Sequence, residues 1–378
     1  MKFLHTSDWH FGATENEHSL LSDQRYFVDR ICEIITERKI DAVLLAGDVY
    51  DRSVAAADAV RLYDYAMTRI CRDLGVQVIS VAGNHDSAER LASCSELLKE
   101  AGLSVSGALT REPRKVEFED TDIYLLPWFT EEKVRGLFPE KAADIRSMDD
   151  AYRVVTESLR ADFVPGKKHF AVAHAFISGV ELGGSDRAAE IGFATQVSAS
   201  VFDGFDYVAL GHIHRPYNVN EHIRYSGTPM PYSFGKEEAQ EKSVTIIDTE
   251  NMTQEIVPLP LLHCWTTLTG TMEELMHPDL AAEVQNGYVR INVTDTFVGT
   301  ESGAALRALY PLALDIMGKE FEDLNGGTRM TLEELRELET DPVEVFKRFY
   351  IDSSNGEEAS EHLLDLFRQV LEECGTED

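Results

Sequence analysis

The chain has 378 residues, room for two or three domains at about 150 residues each, and its 43% hydrophobic and 27% charged residues exclude a disordered chain. It carries 35 basic against 67 acidic residues, and the resulting formal charge of −32 argues against a histone-like or general polyanion binder. No apolar run reaches the roughly 18 residues of a membrane span, and the polar start Met1-Lys2-Phe3-Leu4-His5-Thr6 is no signal peptide, so a cytoplasmic protein is expected.

In chain order, Phe3 to Ser7 reads as a strand, Gln24 to Glu37 as a helix with Phe27, Ile31, Ile34 and Ile35 on one side, and Asp41 to Ala46 as a second, buried strand. Ala55 to Leu74 reads as a long helix, Val76 to Val81 as a third strand, and Ala88 to Ala101 as another helix. This alternation is the signature of βαβ units. Strands are next expected at Lys115–Phe118, Ile123–Leu126, His169–Ala173 and Tyr207–Leu210, with a helix over Asp149–Ala161. Val219–Tyr225 and Ser243–Asp248 read as a returning antiparallel pair. Pro258 and Pro260 mark a boundary, so residues 1–258 form the main domain. A small domain is expected over 259–325, with strands Gly287–Val293 and Leu312–Met317 around a helix at Ser302–Tyr310. Asp323–Arg329 reads as a linker. Residues 326–378 are helical: Thr331 caps one start with Glu334 three residues on, and helices follow at Pro342–Tyr350 and Gly356–Glu373. The last carries Leu363, Leu364, Phe367, Val370 and Leu371 on one stripe, suited to its own domain or to a partner.

Residues of one chemical kind follow the apolar strands: Asp8 and His10, Asp48, Asn84 with His85 and Asp86, His174, and His212 with His214. Ligands in α/β sheets gather outside the carboxyl ends of strands, so these five loops can converge. Four imidazoles, two carboxylates and one amide are a mixed nitrogen and oxygen donor set that favours Mn, Zn or Fe over Ca or Mg. The five cysteines are scattered without CxxC spacing, which fits a reducing compartment and no structural zinc. Each motif alone is weak, since a GNHD can be a turn; their joint occurrence predicts a metal site. Seven donors exceed one tetrahedral ion and suffice for two ions sharing a carboxylate, for which Asp48, alone between the paired motifs, is the candidate. Paired cations acidify water and neutralise phosphate oxygens, which makes them a phosphoryl-transfer device. His85 is not needed as a donor and can stabilise the oxyanion or protonate the leaving oxygen; Asp86 orients it or fixes the loop.

These motifs resemble those of the calcineurin-like metallophosphoesterases. The longer stretches HTSDWHFG (5–12), AGDVYDR (46–52), GNHDSAERL (83–91), YVALGHIHRP (207–216) and IRYSGTPMPYSF (223–234) are similar to the SbcD (Mre11-like) nucleases, strongly over about 1–250 and more weakly over 265–320. Phe11 and Tyr50 stand where that family commonly has Leu and Phe, and Asp186 where Glu is common. The resemblance implies an α/β sandwich of two mixed sheets flanked by helices, with a small α+β DNA-capping domain and C-terminal helices that dock a partner. It implies one metal held by Asp8, His10, Asp48 and His214, a second by Asp48, Asn84, His174 and His212, and His85 as the catalytic histidine. Two manganese ions per chain are expected, with iron or magnesium as alternatives. The implied activity is Mn-dependent exonuclease action on double-stranded DNA ends, and endonuclease action near hairpins and blocked ends. The implied partners are DNA, the Rad50-like ATPase SbcC, and a second copy of the chain joined through about 56–73 and 88–100, giving a heterotetramer with two SbcC.

The acidity sits oddly with a DNA enzyme, so contact with DNA is expected to lean on SbcC, a salt-rich cell, or local arginines such as Arg52, Arg187 and Arg215. Two other functions fit the same residues. One is a metallophosphoesterase for a cyclic nucleotide, another small phosphodiester or a phosphoprotein, which needs no extra region of some 120 residues. The other is a non-catalytic DNA-end scaffold, against which the intact donor set and His85 argue.

Overall fold

The structure is a computed structural model. It describes residues 1–16, 18–112, 114–180, 196–318 and 360–374, with Val343, Phe346, Lys347 and Tyr350 between. Contacts divide the chain into one unit of Met1–Thr267, Val284–Arg290 and Leu312–Asp315, and a second of Leu268–Glu283, Ile291–Pro311 and Ile316–Asp378.

The first unit is built on two mixed six-stranded sheets. Chain order gives β1 (Lys2–Thr6), α1 (Leu21–Arg38), β2 (Ala42–Ala46), α2 (Ala57–Met67), β3 (Gln77–Val81), β4 (Leu103–Ser106), β5 (Lys115–Glu117) and β6 (Thr121–Leu126). There follow α3 (Met148–Arg160), β7 (Lys168–His174), β8 (Tyr207–Gly211), β9 (Tyr217–Asn218), β10 (Ile223–Tyr225), β11 (Ser243–Asp248) and β12 (Thr253–Pro258). One sheet runs β12-β11-β1-β2-β3-β4 and the other β9-β10-β8-β7-β6-β5. Strands β1 to β4 are parallel to one another, as are β6, β7, β8 and β10; antiparallel strands close three of the four edges, and the parallel strand β4 forms the fourth.

Side chains alternate faces along a strand, and here both faces are covered. On β2, Ala42, Leu44 and Ala46 meet Ile123, Leu125, Phe170, Val172 and Ala209 of the other sheet, while Val43 and Leu45 turn outward onto Phe27, Val28 and Ile31 of α1. Val208 and Leu210 of β8 face Tyr152, Val155 and Leu159 of α3. Burial on both sides explains why these strands read as unbroken apolar runs. The parallel strands of both sheets deliver their carboxyl ends to one edge of the sandwich.

Four expectations change. Ala55–Leu74 is an α-helix only over Ala57–Met67 and continues in π-helical turns through Thr68–Asp73. Ala88–Ala101 is two short helices, Ala88–Leu91 and Ser95–Glu100, parted where Cys94 takes a φ of 58°. Val219–Tyr225 is not one strand paired with Ser243–Asp248; it is the hairpin of β9 and β10, and β10 lies parallel to β8 in the other sheet. Strand β11 instead pairs antiparallel with β1 on one side and, on the other, with β12, an exposed edge strand without an apolar pattern.

Further along, Trp265–Gly270, Tyr288–Val293 and Ala313–Met317 form a three-stranded sheet with the second in the centre, and Thr300–Leu309 is a helix. The expected linker at Asp323–Arg329 and cap at Thr331 lie outside the described residues, as does most of Pro342–Tyr350. The last helix spans Glu361–Cys374, and its Phe367 stacks on Phe346 with ring centroids 4.1 Å apart, so that part of the stripe is used within the chain. Among the described residues no helix is long and apolar enough to cross a membrane.

Candidate metal centre

Five loops at the shared strand edge carry the polar residues singled out above. Asp8 and His10 follow β1, Asp48 follows β2, Asn84 and His85 follow β3, His174 ends β7, and His212 and His214 follow β8. All but Asn84 and His85 are buried, with Asp8 and His174 fully so.

Their backbones are bent to present them. Asp8, His10, Asp48 and His212 take φ of 53°, 43°, 48° and 102°, half of the eight non-glycine positive-φ residues described. Such conformations cost on the order of 1–3 kcal/mol each and persist where surroundings impose them. Here the loops brace one another: the Asp8 and His10 amides donate to the carbonyls of Gly47 and Asp48 at 3.0 Å, and the His212 amide donates to Asp8 Oδ1 at 3.0 Å. The Gln24 side chain donates to the His10 carbonyl at 2.7 Å and accepts from the Gly12 amide. Two glycines permit the approach. A Cβ on Gly83 would lie 2.1 Å from Asp48 Oδ1, and one on Gly47, itself at φ 86°, would lie 2.3 Å from His174 Nδ1.

Two donor groups meet at Asp48. In one, His10 Nε2 lies 3.2 Å from His214 Nε2 and 3.8 Å from Asp48 Oδ2, with the Asp8 carboxylate beside them. In the other, His174 Nε2 lies 2.9 Å from Asn84 Oδ1, 3.3 Å from His212 Nδ1 and 3.3 Å from Asp48 Oδ2. His212 Nδ1 is also 3.1 Å from Asn84 Oδ1. Asp8, His10 and His214 thus make one candidate metal cluster, Asp8, Asp48 and His174 a second, and His10, Asp51 and His85 a third at the mouth of the site.

The chemistry of the donors fits a pair of cations. His174 Nδ1 lies 2.9 Å from the Ala46 carbonyl and donates its hydrogen there, which leaves Nε2 facing the Asn84 and Asp48 oxygens. Acceptors that face one another at this range need positive charge between them. The proton affinities of the metal-free site diverge from group to group. Burial would lower the His174 pKa, but the charges of Asp48 and Asp8 outweigh it and lift it to about 9. Burial alone would raise Asp48, yet His174, His10 and His85 hold it well below the carboxylate range. Asp8 is pushed up to about 6 by burial, with the Asp48 charge adding to it. Burial, reinforced by His174, depresses His212 to about 3. Among the described residues, Cys32, Cys71, Cys94 and Cys264 are free thiols outside these clusters.

His85 stands apart from both donor groups. Its Nδ1 lies 2.9 Å from the Asp51 carbonyl, and its ring meets that of His10 edge-on at 4.9 Å. It lines a cavity of about 190 Å³ shared with His10, Asp51, His214 and Tyr232. Asp86 does not reach His85's ring: it accepts the amide hydrogens of Val49, Tyr50 and Gly83 and ties the second loop to the third.

Of the arginines, Arg52 is exposed and bonds Asp51, Arg215 packs its guanidinium over Tyr217 at 4.8 Å, and Arg187 lies outside the described residues. Several residues here went unnoticed in the sequence. Asp51 sits 3.9 Å from His10 Nδ1, Trp128 stacks on His212 at 5.5 Å, and buried Glu237 and Lys242 lie behind His214. Asp51 alone left a trace, in the AGDVYDR stretch.

Known proteins are similar to this chain. The SbcD component of the SbcCD nuclease from Staphylococcus epidermidis is 26% identical over 379 residues, covering 99% of this chain and all of its own. Its counterpart from Staphylococcus saprophyticus is 28% identical over 360 residues and 94% of each chain. A solved structure of a dimetal phosphatase from Danio rerio is similar over 69% of this chain and 99% of its own, at 11% identity and a TM-score of 0.40. Residues 1–216, more than half of the chain, match the calcineurin-like phosphoesterases, and the chain belongs to that family.

Proposed function

We propose that this chain is a DNA nuclease component that hydrolyses phosphodiester bonds at double-stranded ends, and near hairpins or blocked ends, together with an SbcC-type ATPase. The observation that carries this reading is the reach of the similarity. The alignments with the two SbcCD components extend past residue 216 to 94–99% of the chain, where a phosphoesterase for small substrates needs no added region. Residues 259–325 then serve as a DNA-capping domain and 326–378 as the segment that docks the ATPase. The working assembly is a homodimer with two ATPase chains, acting in repair and recombination.

In this reading Asp8, His10, Asp48 and His214 hold one manganese ion and Asp48, Asn84, His174 and His212 the other. When bound, the two ions supply the positive charge that acidifies water and neutralises the phosphate oxygens. The protein does the rest. The strained loops fix the donors before substrate arrives, so little reorganisation remains. The cavity beside His10 and Tyr232 receives the ester. With Nδ1 committed to the Asp51 carbonyl, His85 turns Nε2 to the reacting group. Water oxygen bonds to phosphorus and releases one proton to solvent, the bond to the leaving oxygen breaks, that oxygen takes a proton from the His85 imidazolium, and solvent returns a proton to His85. A chain of charge −32 meets DNA through the bound cations, its partner and few arginines.

The test is a linear duplex assay with manganese, with and without the ATPase and ATP. Degradation from the ends is expected. Inactivity towards every DNA end, alongside fast hydrolysis of a cyclic nucleotide, overturns the proposal.

A further inference from the structure

The two donor groups differ in what stands behind their imidazoles. His214 presents Nε2 to the cluster, and its Nδ1 side faces the Glu237 carboxylate at 3.6 Å. Glu237 is fully buried. Its other oxygen accepts the Tyr232 amide hydrogen at 3.0 Å and lies 3.8 Å from the Lys242 ammonium, also buried. Lys242 in turn donates to the His214 carbonyl at 3.2 Å and to Thr228 Oγ1 at 2.8 Å. His10 has the same arrangement in weaker form, with Asp51 3.9 Å from Nδ1. On the other side of Asp48, His174 is backed by a neutral peptide carbonyl, and Trp128 stacks on the face of the His212 ring.

Two buried opposite charges are costly to assemble, and hydrophobic residues would pack the space at least as well. Behind a donor imidazole, however, an ionised carboxylate has a definite effect. Facing the far nitrogen at 3.6 Å, it orients the ring and makes the near nitrogen a stronger donor through its charge. It also adds negative charge near the cation in a poorly screened interior. Lys242 lies 3.8 Å from that carboxylate and, through its bond to the His214 carbonyl, pins the loop that carries His214.

Resting on the two-cation reading above, we propose that the two positions are unequal. The Asp8, His10 and His214 position takes its cation first and more tightly, and Glu237 is the positioning residue, acting through His214, that sets the difference.

The experiment is manganese titration of the metal-free full chain by calorimetry and electron paramagnetic resonance. The wild type is expected to bind in two steps of different affinity. Glu237→Gln, which keeps an oxygen for the Tyr232 amide, weakens the tighter step about 10–100-fold and leaves the weaker one in place. Glu237→Asp restores part of the tighter step, which separates lost charge from damaged folding. Asn84→Ala, which removes a donor from the other position alone, weakens only the second step. A wild type that binds no manganese overturns the two-cation reading and this assignment with it. Two ions bound by the wild type with equal affinity, or a Glu237→Gln protein that titrates like the wild type, overturn this assignment alone.

Discussion

Asp48 Oδ1 accepts the amide hydrogen of His85 at 2.9 Å, and this leaves Oδ2 as the oxygen turned to both groups of imidazoles. One carboxylate therefore ties the third loop to the second and faces both candidate cation positions. Replacement by Asn keeps an oxygen for the His85 amide and removes the charge. In Asp48→Asn, affinity for both ions is expected to fall by about 10–100-fold or more, at least the scale seen for groups behind metal ligands. Metal content after dialysis and calorimetry read this; two ions retained at wild-type affinity contradict the shared position.

His85 gives the complementary case. Its ring bonds the Asp51 carbonyl and lies outside the two groups that meet at Asp48, although with His10 and Asp51 it makes a third candidate cluster. His85→Leu is expected to lower phosphodiester hydrolysis by roughly 10²–10⁴-fold, the usual contribution of a positioned acid or base. The number of bound ions should stay the same. Loss of metal in this variant would make His85 a ligand instead.

Much of this site was legible because the fold hides little of it. Strands buried on both faces read as apolar runs, and each run is followed within two residues by a polar group, as Leu44-Leu45-Ala46 is by Asp48. The groups behind the donors were not legible. Glu237 lies in the stretch Lys236-Glu237-Glu238-Ala239-Gln240-Glu241-Lys242, which reads as a solvated charge run, and only the return of the chain to β11 buries it against His214. The break at Cys94 was silent because nothing there favours a positive φ. Thr253–Pro258 was missed because an exposed edge strand has no apolar pattern to show.

Asp86 is expected to matter for stability more than for chemistry. Its carboxylate satisfies three amides, those of Val49, Tyr50 and Gly83. Asp86→Ala strands them at about 1–3 kcal/mol for each that water cannot reach, so a loss of roughly 2–5 kcal/mol in the urea unfolding of the metal-free protein is expected. Asp86→Asn should recover part of it, since one oxygen remains. Unchanged unfolding in Asp86→Ala would contradict the tie between the loops.

His5 sets an expectation for acid sensitivity. It lies wholly buried between the sheets, with Nδ1 2.9 Å from Tyr207 Oη and Nε2 3.1 Å from the Leu210 carbonyl. Burial, aided by the Arg224 charge, pulls its pKa down to about 3. The unfolded chain therefore takes up this proton near pH 6.5, and the folded chain refuses it until about pH 3. Between those values the unfolded state binds more protons, so the folded state loses stability as pH falls, at about 1.4 kcal/mol per pH unit. The buried carboxyls of Asp8 and Asp86, both raised to about 6, act in the opposite sense and mask the trend in the wild type alone. The comparison with His5→Gln isolates it, because glutamine can keep both hydrogen bonds and does not titrate. Relative to the wild type, the Gln variant should gain about 2–3 kcal/mol between pH 6.5 and pH 4, read from denaturant unfolding at each pH. A stability difference that stays constant across that range would mean the folded protein accepts the proton on His5.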